Sequence, residues 1–192
     1  MQVVEWRQFL EDGLPCGKKP SSVTIGVFDG VHLGHRSLIE KVVSYNPDYA
    51  PVVITFRQNH KEKKHAQTDI QTFRQKTLVF ESLGVKITLV IDFTESFRRM
   101  SGIEFLETLL NCCNIGFFAV GSNFRCGYGL DTDAAAIQKF FSGKNIPTEI
   151  VPEVMEGGLP ISSSRIRSAI ASGDFSLAEK MLGRPYEDTP QK

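Results

Sequence analysis

The sequence predicts an α/β fold with a doubly wound, Rossmann-like parallel sheet of five strands. Apolar runs rich in β-branched and aromatic residues alternate with helix-like stretches, and this order requires right-handed crossovers between parallel strands. The middle runs are almost continuously apolar, as strands buried on both faces are. The five runs are SVTIGVF (22–28), PVVITF (51–56), KITLVIDF (86–93), GFFAVGS (116–122) and PTEIVPE (147–153).

The stretches between these runs carry helical spacing or helix end signals. HRSLIEKVVSY (35–45) puts Leu38, Ile39, Val42 and Val43 on one face, and FRQKTLVFESLG (73–84) puts Phe73, Leu78, Val79 and Leu83 on one face before Gly84. SGIEFLETLLNC (101–112) starts with a capping box, and DAAAIQKFFSG ends at Gly143. After the fifth strand, VMEGGLPISS predicts a Gly-Gly turn, and two helical stretches, RIRSAIASG and FSLAEKMLG, form a short C-terminal extension.

Composition narrows the class of protein. The 192 residues are 41% hydrophobic and 23% charged, which is typical of one soluble globular domain. A net charge of zero does not support a strongly basic surface for nucleic acid, although it leaves room for a local basic patch. No run approaches the roughly 18 apolar residues of a membrane span. The four cysteines form no C-x-x-C and are expected to be free thiols. We therefore expect a cytoplasmic protein with neither nucleic acid nor membrane as its partner.

The first motif with chemical content is GVFDGVHLGH (26–35), which follows the first strand. Gly26 and Gly30 allow a ligand to approach the backbone, while His32 and His35 share one face of the first helical turn. Imidazoles beside the exposed N–H groups of a helix start suit a phosphate. The structural alternative is that the two histidines cap the helix and pack locally.

The second motif is ISSSRIRSAI (161–170), in which three serines precede a helix. A purely structural interpretation is that the motif only starts a helix and its arginines face solvent, although one serine would suffice as the N-cap. A row of hydroxyl and N–H groups with an arginine also suits a polyphosphate.

The third motif is AVGSNFRCGYG (119–129), at the end of the fourth strand. Its small residues and Asn123 suit contact with a nucleotide at the carboxyl edge of a parallel sheet, where doubly wound folds bind ligands. A purely structural turn fits the same residues. Walker, dinucleotide-type G-x-G-x-x-G and G-x-S-x-G motifs are absent from the sequence, which disfavours the enzymes that use them.

Taken together, these motifs resemble a known family. GVFDGVHLGH resembles the H-x-G-H signature of the nucleotidyltransferase superfamily, and ISSSRIR resembles its I-S-S-T-x-I-R element. VVITF, AVGSNFRCGYG and the ending AEKMLGRPYE are similar to the N-terminal adenylyltransferase module of the bacterial bifunctional riboflavin kinase/FMN adenylyltransferases, also called FAD synthetases.

The resemblance implies the reaction FMN + ATP → FAD + pyrophosphate with Mg²⁺. It also implies that residues 1–187 form the adenylyltransferase domain and 188–192 a short tail. A riboflavin kinase module would start after LGRPY, so we expect it to be absent here and a separate riboflavin kinase to be a possible partner.

The resemblance also suggests roles for individual residues. His32, His35, Asn123 and Arg167 would be catalytic, acting on the triphosphate, the leaving pyrophosphate and the acceptor phosphate. Mg²⁺ would be held mainly by phosphate oxygens and water, with Asn123 as a possible protein ligand. The residues expected to bind ATP are Gly26, Val27, Phe28, Asp29, Gly34, Ser162, Ser163 and Ser164. The residues expected to bind the flavin are Thr55, Phe56, Gln58, Asn59 and Arg125.

Two segments depart from the family pattern. The family's T-F-x-P-H-P is here TFRQNH (55–60), without the two prolines that would stiffen the loop, and Cys126 replaces a usual aromatic residue. The first departure leaves the acceptor open. Two alternatives therefore remain: an adenylyl- or cytidylyltransferase for another phosphate acceptor, and a flavin- or nucleotide-binding protein without catalysis.

Overall fold

The computed structural model describes residues 1–57 and 69–186. In this part of the chain, six parallel strands form one sheet in the order β1-β4-β3-β2-β5-β8. The strands are β1 (Gln2–Glu5), β2 (Ser21–Ile25), β3 (Ala50–Arg57), β4 (Ile87–Asp92), β5 (Ile115–Gly121) and β8 (Thr148–Val151). Two short antiparallel pairs are β6 (Arg125–Cys126) with β7 (Thr132–Asp133), and β9 (Met155–Glu156) with β10 (Leu159–Pro160).

Helices cover both faces of the sheet, as a doubly wound fold requires. They are α1 (Trp6–Asp12), α2 (Leu33–Ser44), α3 (Phe73–Ser82), α4 (Glu95–Arg99), α5 (Gly102–Cys112), α6 (Ala134–Ser142), α7 (Ser163–Ala171) and α8 (Phe175–Leu182). Apolar side chains of α1, α5 and α6 pack with one face, and those of α2 and α3 with the other. Helices α7 and α8 form a third apolar cluster with Ile70 and Ile161.

The doubly wound class is confirmed, but the predicted number of strands is wrong. β1 is a sixth strand, paired in parallel with β4 at the edge of the sheet. Only Val4 of its four residues is buried, so the segment lacks the apolar run by which the other strands are recognised. The predicted Gly-Gly hairpin is confirmed, because β9 and β10 pair across Gly157 and Gly158, both with positive φ.

Helix α3 lies where the sequence predicts it, and Val79 and Leu83 of the predicted face pack against the core. The prediction is wrong for Leu78, which is 55% exposed, whereas Phe80 and Lys76 are buried. A buried lysine carries no apolar signal, so the sequence pattern could not place Lys76 inside the fold.

The sheet has one topological switch point. From β2 the chain winds outward through β3 and β4, then crosses back to place β5 on the other side of β2. The carboxyl ends of β2 and β5 therefore open a crevice between their two following loops, where sheets of this kind bind ligands.

Candidate active site

A cavity of about 230 Å³ opens at this switch point. Its walls come from the start of α2, the ends of β5 and β8, and the start of α7. The lining residues include His32, Gly34, His35, Gly121, Asn123, Glu153, Ser162 and Ser163. Three separate sequence motifs thus meet at one cavity. The histidine motif follows β2 and the Asn123 motif follows β5, two strands that end at this edge, and the serine motif begins α7 on the opposite side.

The two histidines form one stacked unit. Their ring centroids are 3.6 Å apart with an interplanar angle of 17°. His32 is the N-cap of α2, and its Nδ1 accepts a hydrogen bond of 3.3 Å from the backbone N–H of His35. The capping alternative is therefore correct in part, and it fixes the tautomer: a neutral His32 with Nδ1 as acceptor carries its proton on Nε2.

Both rings are held neutral. Burial, and next the positive charge of Arg184, lower the pKa of His32 to about 4. Burial, and next His32 and Lys76, lower the pKa of His35 well below its usual value. Nδ1 of His35 is a buried nitrogen without a hydrogen-bond partner among the described residues. A buried polar atom without a partner is costly, so this nitrogen marks a hydrogen-bonding capacity that the described residues do not use.

The turn before the histidines has a strained backbone that supports the ring of His35. Phe28 is fully buried at a φ of +54°, and Val31 has a φ of +38°. The ring of Phe28 packs edge-on against His35 at 5.1 Å and against Phe80 at 5.5 Å. Gly30, at φ +82°, lies against Ile70, whose side chain a Cβ would meet at 3.0 Å. Such backbone persists only where its surroundings over-determine it.

Ser162 and Ser163 line the opposite wall, whereas Ser164 and Arg167 are not among the lining residues, and each serine makes a different contact. Ser162 is the N-cap of α7 and accepts from the N–H of Arg165 at 3.2 Å. Ser163 Oγ donates to the carbonyl of Asp29 at 2.8 Å, which ties this wall to the histidine turn. Ser164 is exposed, and its Oγ accepts from Arg167 at 3.3 Å.

Arg167 has a carboxylate partner in this structure. Its Nη1 donates to Oδ2 of Asp29 at 2.5 Å, while Oδ1 of Asp29 accepts from the N–H of Ile70 at 3.0 Å. Burial raises the pKa of Asp29, despite the opposing effects of the Ile70 hydrogen bond and of Arg167. The aspartate thus joins the turn after β2, the segment before α3 and helix α7.

Asn123 and Glu153 form a polar pair at the third wall. Nδ2 of Asn123 donates to Oε1 of Glu153 at 2.9 Å, and both residues line the cavity. The sequence motif singled out Asn123 but missed Glu153. Its position at the end of the predicted run 147–153, two residues after β8 and at the ligand edge, was the signal that could have found it.

The described residues expected to bind the flavin, Thr55, Phe56 and Arg125, do not line this cavity. Thr55 and Phe56 are buried at the end of β3, where Phe56 stacks on Phe93 at 4.9 Å. Arg125 is exposed and pairs loosely with Asp133 at 3.9 Å. Gln58, Asn59 and the tail 188–192 lie outside the described residues. The carbonyl of Val27, a residue expected to bind ATP, accepts hydrogen bonds from Thr55 and Lys76.

Sequence reasoning also missed Arg184, which follows α8. Its Nη2 donates to the carbonyl of Gly30 at 2.7 Å and to Gln71 at 2.8 Å, and its Nη1 donates to Val31 at 3.2 Å. Because these contacts bridge more than 110 residues of sequence, no local spacing could indicate them.

The described residues contain no cluster of three or more histidine, cysteine, aspartate or glutamate side chains that could hold a metal ion. Within residues 1–57 and 69–186, no helix combines the length and apolar character of a membrane span.

A switch-point cavity between an H-x-G-H turn and a serine-capped helix defines the class as α/β proteins of the nucleotidyltransferase fold. A family model described as FAD synthetase matches residues 15–165. The chain belongs to the FAD synthetase family.

A relative and two solved structures illustrate this placement. The bifunctional riboflavin kinase/FMN adenylyltransferase of Buchnera aphidicola subsp. Schizaphis graminum is 31% identical over 173 residues, which are 86% of this chain and 55% of that protein. The chain spans about half the length of the first curated relatives it matches.

Among solved structures, a protein described as a macrolide-efflux protein from Streptococcus pneumoniae is similar with a TM-score of 0.81 and 25% identity, over 97% of this chain and 61% of that one. A pantoate-beta-alanine ligase from Francisella tularensis has a TM-score of 0.59 at 18% identity, over 95% of this chain and 78% of that one. The second likeness concerns the fold alone.

Proposed function

We propose that the protein transfers the adenylyl group of ATP to FMN and releases pyrophosphate, so that FAD is formed. Membership of the FAD synthetase family supports the reaction. The structural observation that carries the proposal is the cavity itself, in which the stacked pair His32–His35 faces Ser162 and Ser163. Two walls of hydrogen-bond donors across one cavity suit a polyphosphate better than any apolar ligand.

The reaction proposed is a direct in-line displacement. A phosphate oxygen of FMN attacks the α-phosphorus of ATP, the new P–O bond forms, and the bond to the β-phosphate oxygen breaks. No covalent enzyme intermediate is needed, so the protein acts by positioning and by stabilising charge. His32 would donate from Nε2 to an oxygen of the triphosphate, and His35 would bind beside it. Both rings are neutral at pH 7, so they are donors of hydrogen bonds rather than fixed cations.

The serine wall would hold the leaving pyrophosphate. The N–H groups at the start of α7 and the hydroxyl of Ser164 are available there, and Arg167 supplies a full positive charge. Arg167 would either add a phosphate to its contact with Asp29 or exchange one for the other. Gly34 would allow close approach of the phosphates, and it also leaves room for the ring of His32, which a Cβ there would meet at 3.3 Å.

The residues fit magnesium only as a substrate-bound ion. Asn123 and Glu153 offer hard oxygen atoms beside the cavity, and Mg²⁺ is commonly bound by one or two such groups together with substrate phosphates. When bound, the ion would neutralise charge on the phosphates. Asn123 would orient Glu153 toward it through their hydrogen bond.

For the flavin we propose the end of β3 and its surroundings, Thr55–Asn59 with Arg125. The exposed ring that this region offers is Phe93, which is 40% exposed and stacks on the buried Phe56. The buried Thr55 and Phe56 would therefore not contact the flavin directly. They would hold the end of β3 and the ring of Phe93 in position. FMN would be supplied by a riboflavin kinase activity, which the names of the bifunctional relatives support. We also propose a cytoplasmic location, which four free cysteines support.

A product assay tests the proposal. Purified protein is incubated with Mg-ATP and FMN, the flavins are separated by chromatography, and pyrophosphate is measured in parallel. Equal amounts of FAD and pyrophosphate are expected. Binding of ATP without FAD, followed by turnover of a different phosphate acceptor, would instead support the other transferases, and binding without any turnover would support the non-catalytic alternative.

A further inference from the structure

Lys76 is a buried lysine at the ligand edge of the sheet. It lies in α3, is 6% exposed, and its ammonium group reaches the carboxyl ends of two neighbouring strands. Nζ donates to the carbonyl of Val27 at 3.1 Å, to Oγ1 of Thr55 at 3.1 Å and to the carbonyl of Phe56 at 3.4 Å. An ammonium group has three N–H donors, so each donor has one acceptor.

All three acceptors are neutral, which makes this an expensive arrangement for a structural purpose alone. Burying a charged amine costs free energy unless a counter-charge compensates it. A methionine or leucine would fill the same space without that cost. The charged form must therefore do something that an apolar side chain cannot.

The three hydrogen bonds join two segments that the chain itself leaves separate. Val27 lies in the turn that carries the strained Phe28 and the site residue Asp29, while Thr55 and Phe56 end β3. Thr55 also donates to the carbonyl of Val27 at 3.1 Å. Because Phe28 supports the ring of His35, any shift of this turn moves the histidine pair with it.

We propose that Lys76 is a positioning residue for the proposed adenylyl transfer, whose protonated amino group ties the turn after β2 to the end of β3. The inference rests on the proposed function and names a residue in it that does not line the cavity. Deprotonation would leave two N–H donors for three acceptors, and the longest of the three bonds, to Phe56, would be released first.

The charged groups around Lys76 come from every element packed against it. Asp29 in the turn after β2 and Asp69 before α3 favour its charge, while Arg57 at the end of β3 opposes it. Lys76 in turn helps to lower the pKa of His35 in α2. Burial is the largest effect and lowers the pKa of Lys76 to about 8. The hydrogen bonds from Lys76 to the two segments therefore weaken near pH 8, within the range in which an enzyme can be assayed.

The activity test compares Lys76→Met with Lys139→Met, an exposed lysine in α6. For the parent and Lys139→Met we expect kcat for FAD formation to fall with a midpoint near pH 8. For Lys76→Met we expect a loss on the order of 10–100-fold at pH 7, because small misplacements have such effects, and no fall near pH 8. Parent-like activity in folded Lys76→Met with an unchanged alkaline fall would overturn the proposal.

A second test does not depend on activity or on the folding of Lys76→Met. The backbone amide resonances of Phe28 and Asp29 are titrated by NMR in the parent protein without substrates, and in Thr55→Val, which removes one acceptor while keeping the shape of the side chain. A transition near pH 8 in the parent and at lower pH in Thr55→Val is expected. No transition between pH 7 and 9 in the parent would overturn the inference. If the amide resonances titrate near pH 8 but the protein makes no FAD, the proposed function is refuted, whereas the structural link made by Lys76 is supported.

Discussion

The two walls of the cavity are built in opposite ways. The histidine wall is buried: His32 and His35 stack on each other, Phe28 and Phe80 fill the space behind them, and Arg184 fixes the preceding turn. The serine wall is a helix start, where Ser162 and Ser163 are half-buried and Ser164 is exposed. Its side chains bond to one another and to Asp29.

This difference indicates a division of work. A wall that is packed on strained backbone cannot adapt, so it suits the part of the reaction that needs fixed geometry. A wall whose arginine already shares its charge with Asp29 can exchange partners as pyrophosphate forms and leaves. Asp29 connects the two walls, because its carbonyl accepts from Ser163 and its carboxylate from Arg167.

The largest expected effect is on the rigid wall. His32→Ala should lower turnover by about 10²–10³, the usual consequence of losing one preorganised donor. His32→Asn keeps an N-cap acceptor for α2 but lacks the imidazole, so it should recover stability without recovering activity. Steady-state kinetics and thermal unfolding check both variants. Near-normal turnover in His32→Ala would remove the histidine from the mechanism.

The adaptable wall can be tested with two arginines on one helix. Arg167→Ala should lower turnover by about 10², since it removes the charge facing the leaving group. Arg165→Ala is the matched control, because that guanidinium bonds the carbonyls of Leu159 and Pro160 in the hairpin instead. Comparable kcat losses in the two variants would indicate that α7 is merely destabilised.

The neutral histidines predict a dependence of stability on pH. The pKa of His32 is about 4 in the folded protein against an ordinary value of 6.5, so between these values the unfolded chain binds a proton that the folded chain does not. Stability is therefore fully present above pH 6.5 and decreases as the pH falls. We expect a loss of about 2 kcal/mol from this group between pH 7 and pH 5.

Urea unfolding at both pH values, in the parent and in His32→Asn, isolates this contribution. The decrease should be smaller in the variant by about that amount. An equal decrease in the two proteins would mean that His32 is already accessible to protons in the folded state.

The smallest expected effects separate the serines. Ser162→Ala removes the N-cap of α7 and should cost about 1 kcal/mol of stability. Ser164→Ala should leave stability unchanged, because that side chain is exposed, yet both variants should weaken ATP binding. Denaturation curves and calorimetric titration with ATP make the comparison. Full ATP affinity in Ser164→Ala would restrict the phosphate site to the first two serines.

The fold, and the placement of the histidine and Asn123 motifs at one edge of the sheet, could be predicted because both follow from apolar runs and helix caps that are visible in short stretches of sequence. The apolar runs at 51–56 and 86–93 contain the strands β3 and β4, in which residues 51–56 and 87–91 are buried. The capping box at Ser101 forms as expected, with Glu104 accepting from the N–H of Ser101 at 2.8 Å. The order of strands then brings His32 and Asn123 to the same edge without any further information.

The supports of the site could not be predicted, because they are long-range and chemically atypical. Lys76 breaks the rule that lysines face solvent, and Arg184 reaches Gly30 from the far end of the chain. The edge strand β1 is too short and too exposed to be recognised. Thr55 and Phe56 carry a family motif, yet their burial at the strand end shows only in three dimensions.

The most direct test of the two-wall account is a crystal structure of the protein with a non-hydrolysable ATP analogue bridged by carbon between its α- and β-phosphates, together with Mg²⁺ and FMN. The account predicts the triphosphate between His32–His35 and the start of α7, with Arg167 within hydrogen-bonding distance of the terminal phosphates. A triphosphate bound elsewhere, or one in contact with only one of the walls, would contradict it.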